Sequence, residues 1–94
     1  RARLESSMNK RRYDLERSRA DHRFYREDVM RKRSTMDLTQ RSFEEALHQA
    51  ELGQLLASEL SQAEFTAKQA KTEYLRSIYN LIQAALTIQR ITRS

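Results

Sequence analysis

Side chains able to bind a metal lie close together near residue 50 of this sequence. Glu44, His48 and Glu51 are spaced i, i+4 and i+7, so they share one face of a helix. With a further ligand from elsewhere, two carboxylates and an imidazole would suit a divalent metal. A solvated polar stripe near a helix end explains the same spacing and is the favoured interpretation. The other histidine, His22, lies 26 residues before His48, about 39 Å along a helix, so the two cannot share a site within one chain.

Other arrangements that support catalysis are missing from the sequence. The neighbouring carboxylates Glu44 and Glu45 do not form an acid/base pair, because adjacent residues of a helix point about 100° apart. The chain has no cysteine and a single glycine, which excludes thiolate chemistry and a glycine-rich phosphate loop. No Ser–His–Asp pattern can be identified. We therefore expect no enzyme, no metal site and no cofactor.

The basic character of the chain raises the question of anionic partners. Net charge is +5, and residues 1–50 carry 13 Lys/Arg against 9 Asp/Glu. Arginines flank aromatic residues in Arg11-Arg12-Tyr13 and Arg23-Phe24-Tyr25-Arg26, a pattern found in single-strand nucleic-acid binding. Acidic residues scattered through the same stretch oppose phosphate binding, so we expect no nucleic-acid partner. Salt-sensitive binding of an anionic membrane or nucleic acid by residues 1–33 stays a lesser hypothesis.

No segment of the sequence is apolar for the roughly 20 residues needed to span a bilayer. The longest candidate, Leu81 to Leu86, is interrupted by Gln83. We therefore expect no direct insertion into a membrane.

Composition favours long helices. Charged residues make up 33% of the 94 residues, and the chain has one glycine and no proline. This profile is typical of helices and coiled coils, and it argues against strands. A two-helix chain of this size buries little surface, so we expect its stability to depend on a partner or on self-association.

The first half of the chain carries an interrupted heptad pattern. Apolar residues recur at alternating steps of four and three, as in a coiled-coil seam. Polar residues interrupt it at Arg11, Ser18, His22 and Lys32, which is unlike a tight dimeric zipper. The stripe comprises Leu4, Met8, Arg11, Leu15, Ser18, His22, Tyr25, Val29, Lys32, Met36, Thr39, Phe43, Ala46 and Ala50.

The second half repeats the pattern more regularly, with Ser77 as its one interruption. Alanines at successive seam positions would allow two helix axes to approach closely. A second stripe beside the first (Leu75, Ile78, Ile82, Ala85) indicates a helix flanked on both sides, as in a bundle or a wall of helices. The predicted packing seam is Leu56, Leu60, Ala63, Ala67, Ala70, Tyr74, Ser77, Leu81, Ala84, Ile88 and Ile91.

The two halves meet at Gly53, the only glycine. Glycine adopts positive φ without steric cost, which a helix C-terminus usually requires one residue beyond its end. Ser58 offers a side-chain oxygen to cap a restarted helix, with Glu59 in its first turn. The alternative is one continuous helix, since a single glycine costs only about 1 kcal/mol relative to alanine. We predict an all-α fold, a long antiparallel coiled-coil-like hairpin with helix ~3–51, turn ~52–55 and helix ~56–92.

The turn region resembles a known family. Leu52-Gly53, five further residues and then Glu59-Leu60-x-Gln62-Ala63-Glu64 are similar to the periplasmic-tip signature of the TolC-like outer-membrane efflux proteins. The similarity covers residues ~38–92, but the closing glycine common in the family is replaced here by Thr92-Arg93. Further matching positions are Ala67, Gln69, Ala70, Tyr74, Leu75, Tyr79, Leu81, Ala84, Ala85, Leu86 and Ile91.

The resemblance implies a structural role in export. The chain would be a helical hairpin from an α-helical barrel, a trimeric duct through which substrates pass passively across the periplasm of a Gram-negative cell. Its turn would contact a periplasmic adaptor protein. The alternative from the residues alone is a generic coiled-coil protein-interaction module that binds a partner helix through the Leu56–Ile91 seam. The docking residues implied at the tip are Leu52, Gly53, Gln54, Leu55 and Glu59.

Overall fold

Two helices account for nearly all of the described chain. The computed structural model describes residues 2–93, with side chains from residue 6 onward, so Arg1, Ser94 and the predicted seam residue Leu4 lie outside the described side chains. Helix α1 (Ala2–Glu51) has 50 residues and helix α2 (Ala57–Arg93) has 37. The described part contains no strand. The predicted all-α hairpin is confirmed, and the helix ends lie within one residue of those predicted.

The hairpin is a narrow rod. Its principal dimensions are 77 × 16 × 14 Å. Fifty helical residues at about 1.5 Å each extend about 75 Å, so α1 spans the rod from end to end. Helix α2 packs antiparallel against α1 and returns along most of its length.

The predicted seam lies between the two helices. The predicted seam residues of α1 from Leu15 to Ala50, and those of α2 from Leu60 to Ile91, are all buried or half-buried. Ala67, Ala70 and Ala84 are the buried apolar residues of the described chain, and no large side chain there is fully buried. Met8 and Arg11, earlier in the α1 pattern, are exposed. The interface is therefore long but shallow, because its fully buried positions hold small residues and its larger side chains are only partly covered.

The serines that interrupt the apolar pattern belong to this interface. Ser77 is only 2% exposed, and Ser18 is also buried. The Ser77 hydroxyl donates a hydrogen bond to the Tyr74 carbonyl oxygen at 2.6 Å, so its polar group is satisfied within α2. A serine of this kind fills the same narrow space as an alanine.

An ion pair and a shared groove show the register of the two helices. Lys32 Nζ lies 3.7 Å from Glu73 Oε2, an ion pair between α1 and α2. Farther along the rod, Ser18 and Tyr25 line one groove together with Ala84. Because the helices are antiparallel, each step back along α1 from Lys32 corresponds to a step forward along α2 from Glu73.

Candidate docking site at the interhelical turn

Helix α1 ends in a Schellman motif centred on Gly53. The Gln54 N–H donates to the Gln49 carbonyl oxygen at 2.9 Å, and the Gly53 N–H donates to the Ala50 carbonyl oxygen at 3.0 Å. These are the two bonds by which the motif satisfies the last carbonyl groups of a helix. The Leu52 N–H donates to the His48 carbonyl oxygen at 3.2 Å and completes the last turn.

Gly53 is required here for its backbone conformation. Its φ is +74°, in the left-handed region that residues with a Cβ adopt only at a cost. A Cβ placed on Gly53 would meet no atom within 4 Å, so the surrounding space is open. The constraint on this position therefore comes from the backbone, and the outer surface of the turn is free for close approach by another molecule.

Helix α2 begins two residues earlier than a cap at Ser58 would place it. The N–H groups of Glu59 and Leu60 both donate to the Leu56 carbonyl oxygen at 3.1 Å, which makes Leu56 the N-cap residue. The prediction that Ser58 caps the helix is wrong, because Ser58 lies in the first turn of α2. Leucine is a poor N-cap, since it has no side-chain acceptor for the free N–H groups.

Leu56 was also predicted to be a seam residue, and this too is wrong. Leu56 is 66% exposed, because it lies in the turn, before the first residue of α2. Leu52, at the other side of Gly53, is 59% exposed. The turn therefore presents two leucines to solvent at the end of the rod.

The remaining predicted tip residues surround these leucines. Gly53, Gln54 and Glu59 are exposed, and Leu55 is half-buried beneath the turn. Glu59 stands in the first turn of α2, where the helix dipole stabilises a carboxylate. The tip thus carries two exposed leucines on either side of Gly53 in the sequence, followed by an acidic group in the first turn of α2. This arrangement suits contact with another protein.

The possible metal site at Glu44, His48 and Glu51 does not assemble. Among the described residues no three His, Asp or Glu side chains are grouped closely enough to hold a metal ion. Glu44 Oε1 instead accepts a long hydrogen bond of 3.4 Å from Gln40 Nε2 on the exposed side of α1.

Neither helix, over the part of the chain that the structure describes, combines the length and apolar character needed to cross a bilayer.

Comparison with protein-family models, curated proteins and solved structures finds no match for this chain.

Proposed function

We propose that this hairpin is a structural and docking element whose turn binds another protein. The observation that carries the proposal is the exposure of Leu52 and Leu56 at the end of a long, narrow rod, together with the N-cap position of Leu56. A leucine at an N-cap lowers helix stability by about 1 kcal/mol relative to serine. Other apolar residues along the rod are equally exposed, and what sets Leu56 apart is its N-cap position, where leucine lowers stability without a packing contact in return.

The rod gives the turn a defined position. A Schellman motif with two backbone hydrogen bonds holds Gly53, and α2 restarts within five residues of the end of α1. Little ordering entropy is therefore lost when a partner contacts the leucines, which favours binding. Two leucines form a small surface, so the contact would be completed by neighbouring copies of the turn or by backbone groups around Gly53.

More specifically, we propose that the chain is a hairpin of a TolC-like efflux duct in the periplasm of a Gram-negative bacterium. The similarity of Leu52-Gly53 and Glu59-Leu60 to the tip signature of that family supports this proposal, since Leu52 and Gly53 lie in the turn and Glu59 and Leu60 in the first turn of α2. In such a trimer the hairpin would build the wall of a passive channel. The turn would contact a periplasmic adaptor protein.

Photo-crosslinking tests the docking function directly. A photoreactive amino acid is placed at position 52 or 56 in the protein as expressed in its own host, and crosslinked products are identified by mass spectrometry. Leu38 is the matched control, because it is also a leucine, lies mid-rod on α1 and is 66% exposed. We expect positions 52 and 56 to capture a periplasmic adaptor protein and position 38 not to. Equal capture from all three positions, or none from the turn, contradicts the proposal.

A generic coiled-coil interaction module is the competing function. In that function a partner helix would bind the seam from Leu56 to Ile91, but α1 already covers the seam from Leu60 onward. A partner helix would have to displace α1. Crosslinks from seam residues to another protein, with none from the turn, would favour this alternative.

A further inference from the structure

Charged residues of opposite sign follow two separate lines along α1. Seven residues make nearly two helical turns, so residues spaced by seven share one side of a helix. Four arginines stand on one such line, at positions 12, 19, 26 and 33. Three aspartates stand on the other, at positions 14, 21 and 28.

The two lines lie on opposite sides of the seam. Arg19, Arg23 and Arg26 line one groove together with Ile88 of α2. The aspartates face a different side, where Asp21 and Asp28 lie in grooves with Asn80 of α2. We call the first side, with Arg12, Arg19, Arg23, Arg26 and Arg33, the arginine face.

Helix α2 adds apolar residues to the arginine face. Ile78 and Ala85 each follow a buried seam residue by one position, about 100° around the helix and away from the side that carries Asn80. Leu75 and Ile82 continue this apolar strip outward and are exposed. The register set by Lys32 and Glu73 brings the strip to the level of Arg19 and Arg26.

The arginines of this face form no ion pair with any described side chain of the hairpin. The ion pairs formed among the described side chains involve Arg31, Lys32 and Lys68, and none of them uses an arginine of the arginine face. Glu16 is the single acidic residue lining the groove with Arg19 and Arg26. The face is therefore a cationic line beside an apolar strip.

We propose that the arginine face binds an acidic amphipathic helix of another polypeptide. Carboxylates spaced by seven residues on that helix would pair with the guanidinium groups, and its apolar residues would cover Leu75 and Ile82. A nucleic acid would satisfy the arginines and leave the apolar strip in water. This site is distinct from the turn, so the inference stands independently of the proposed docking at Leu52 and Leu56.

A synthetic peptide tests the proposal. The probe is a fluorescent helical peptide of about three heptads, with leucines on one face and glutamates beside them at seven-residue intervals. Its affinity for the 94-residue chain is measured by fluorescence anisotropy. In Arg19→Gln/Arg26→Gln we expect affinity to fall about tenfold, the effect of two partly exposed charge pairs together. The matched control Arg17→Gln/Arg41→Gln removes the same charge outside the groove and should change affinity less than about twofold.

A second pair of variants tests the apolar strip. Ile82→Ser should weaken peptide binding several-fold, while Leu38→Ser, on the exposed side of α1, should leave it unchanged. Circular dichroism verifies that each variant keeps its helices. Equal losses in a variant and its control overturn the proposal. So does full competition by a duplex oligonucleotide or by phosphatidylglycerol vesicles, since the face would then be a general polyanion or membrane surface.

Discussion

Replacing Leu56 with serine should make the hairpin more stable. Leu56 is the N-cap of α2, and Glu59 stands three residues later. A serine hydroxyl at position 56 can accept a hydrogen bond from a free N–H of the first turn. The Glu59 carboxylate can reach back to the N–H of residue 56, which completes a capping box. We expect a gain of about 1 kcal/mol, within the usual range of about 0.5–2 for an N-cap.

Thermal unfolding followed by circular dichroism measures this gain. For a chain of this size, 1 kcal/mol corresponds to a rise in Tm of roughly 4–8 °C. Leu56→Ala serves as the baseline, because alanine cannot cap and removes the same exposed leucine. Ser58→Ala tests the competing assignment, since it should cost about 1 kcal/mol only if Ser58 were the cap. A Tm for Leu56→Ser no higher than that for Leu56→Ala would refute Leu56 as the N-cap.

The same substitution separates stability from docking. Leu56→Ser removes an exposed leucine from the turn, so crosslinking from position 52 to its partner should weaken while the hairpin becomes more stable. A general loss of folding would instead lower the stability of the hairpin and the crosslinking from position 52 together. Unchanged crosslinking in Leu56→Ser would remove this leucine from the proposed binding surface.

Three further predictions concern the rod and its turn. Gly53→Ala should cost about 1–2 kcal/mol in urea unfolding because of its positive φ, with Gly53→Asn less costly; equal effects would show that φ is not the cause. Ser77→Leu should destabilise the hairpin by about 1–3 kcal/mol through overpacking, whereas Ser77→Ala should stay within about 0.5 kcal/mol of the parent chain. A looser interface would tolerate leucine. A double-mutant cycle on Lys32 and Glu73 should give a coupling of at most about 1 kcal/mol that shrinks at high salt; a larger, salt-insensitive value would contradict the exposed geometry of the pair.

Most of the hairpin could be predicted from the spacing of apolar residues. The steps of four and three identify both faces, and one glycine in a proline-free chain identifies the break. Ser18 and Ser77 interrupt that pattern because it records polarity. The buried positions of the interface hold small residues, and Ser77, whose hydroxyl is bonded within its own helix, meets that requirement.

The details of the turn could not be predicted in the same way. The place where α2 restarts depends on how many residues the Schellman motif uses, and this is a property of backbone geometry. Propensity favoured Ser58 as the cap, and the heptad pattern favoured Leu56 as a seam residue. Both predictions failed for this one reason. The exposure of Leu56 follows from the position of the turn, which the spacing of apolar residues does not specify.

The regular seam also restricts how a rod of this kind can change in length. An insertion of one residue in α1 would rotate every following side chain by about 100° and move the seam out of the interface. Seven residues added to α1, matched by seven in α2, would restore the phase and lengthen the rod by about 10 Å. The distance between the turn and the far end of the rod would therefore vary among homologous hairpins in steps of about 10 Å. Such steps can be compared directly with the distance that the proposed docking requires the rod to span.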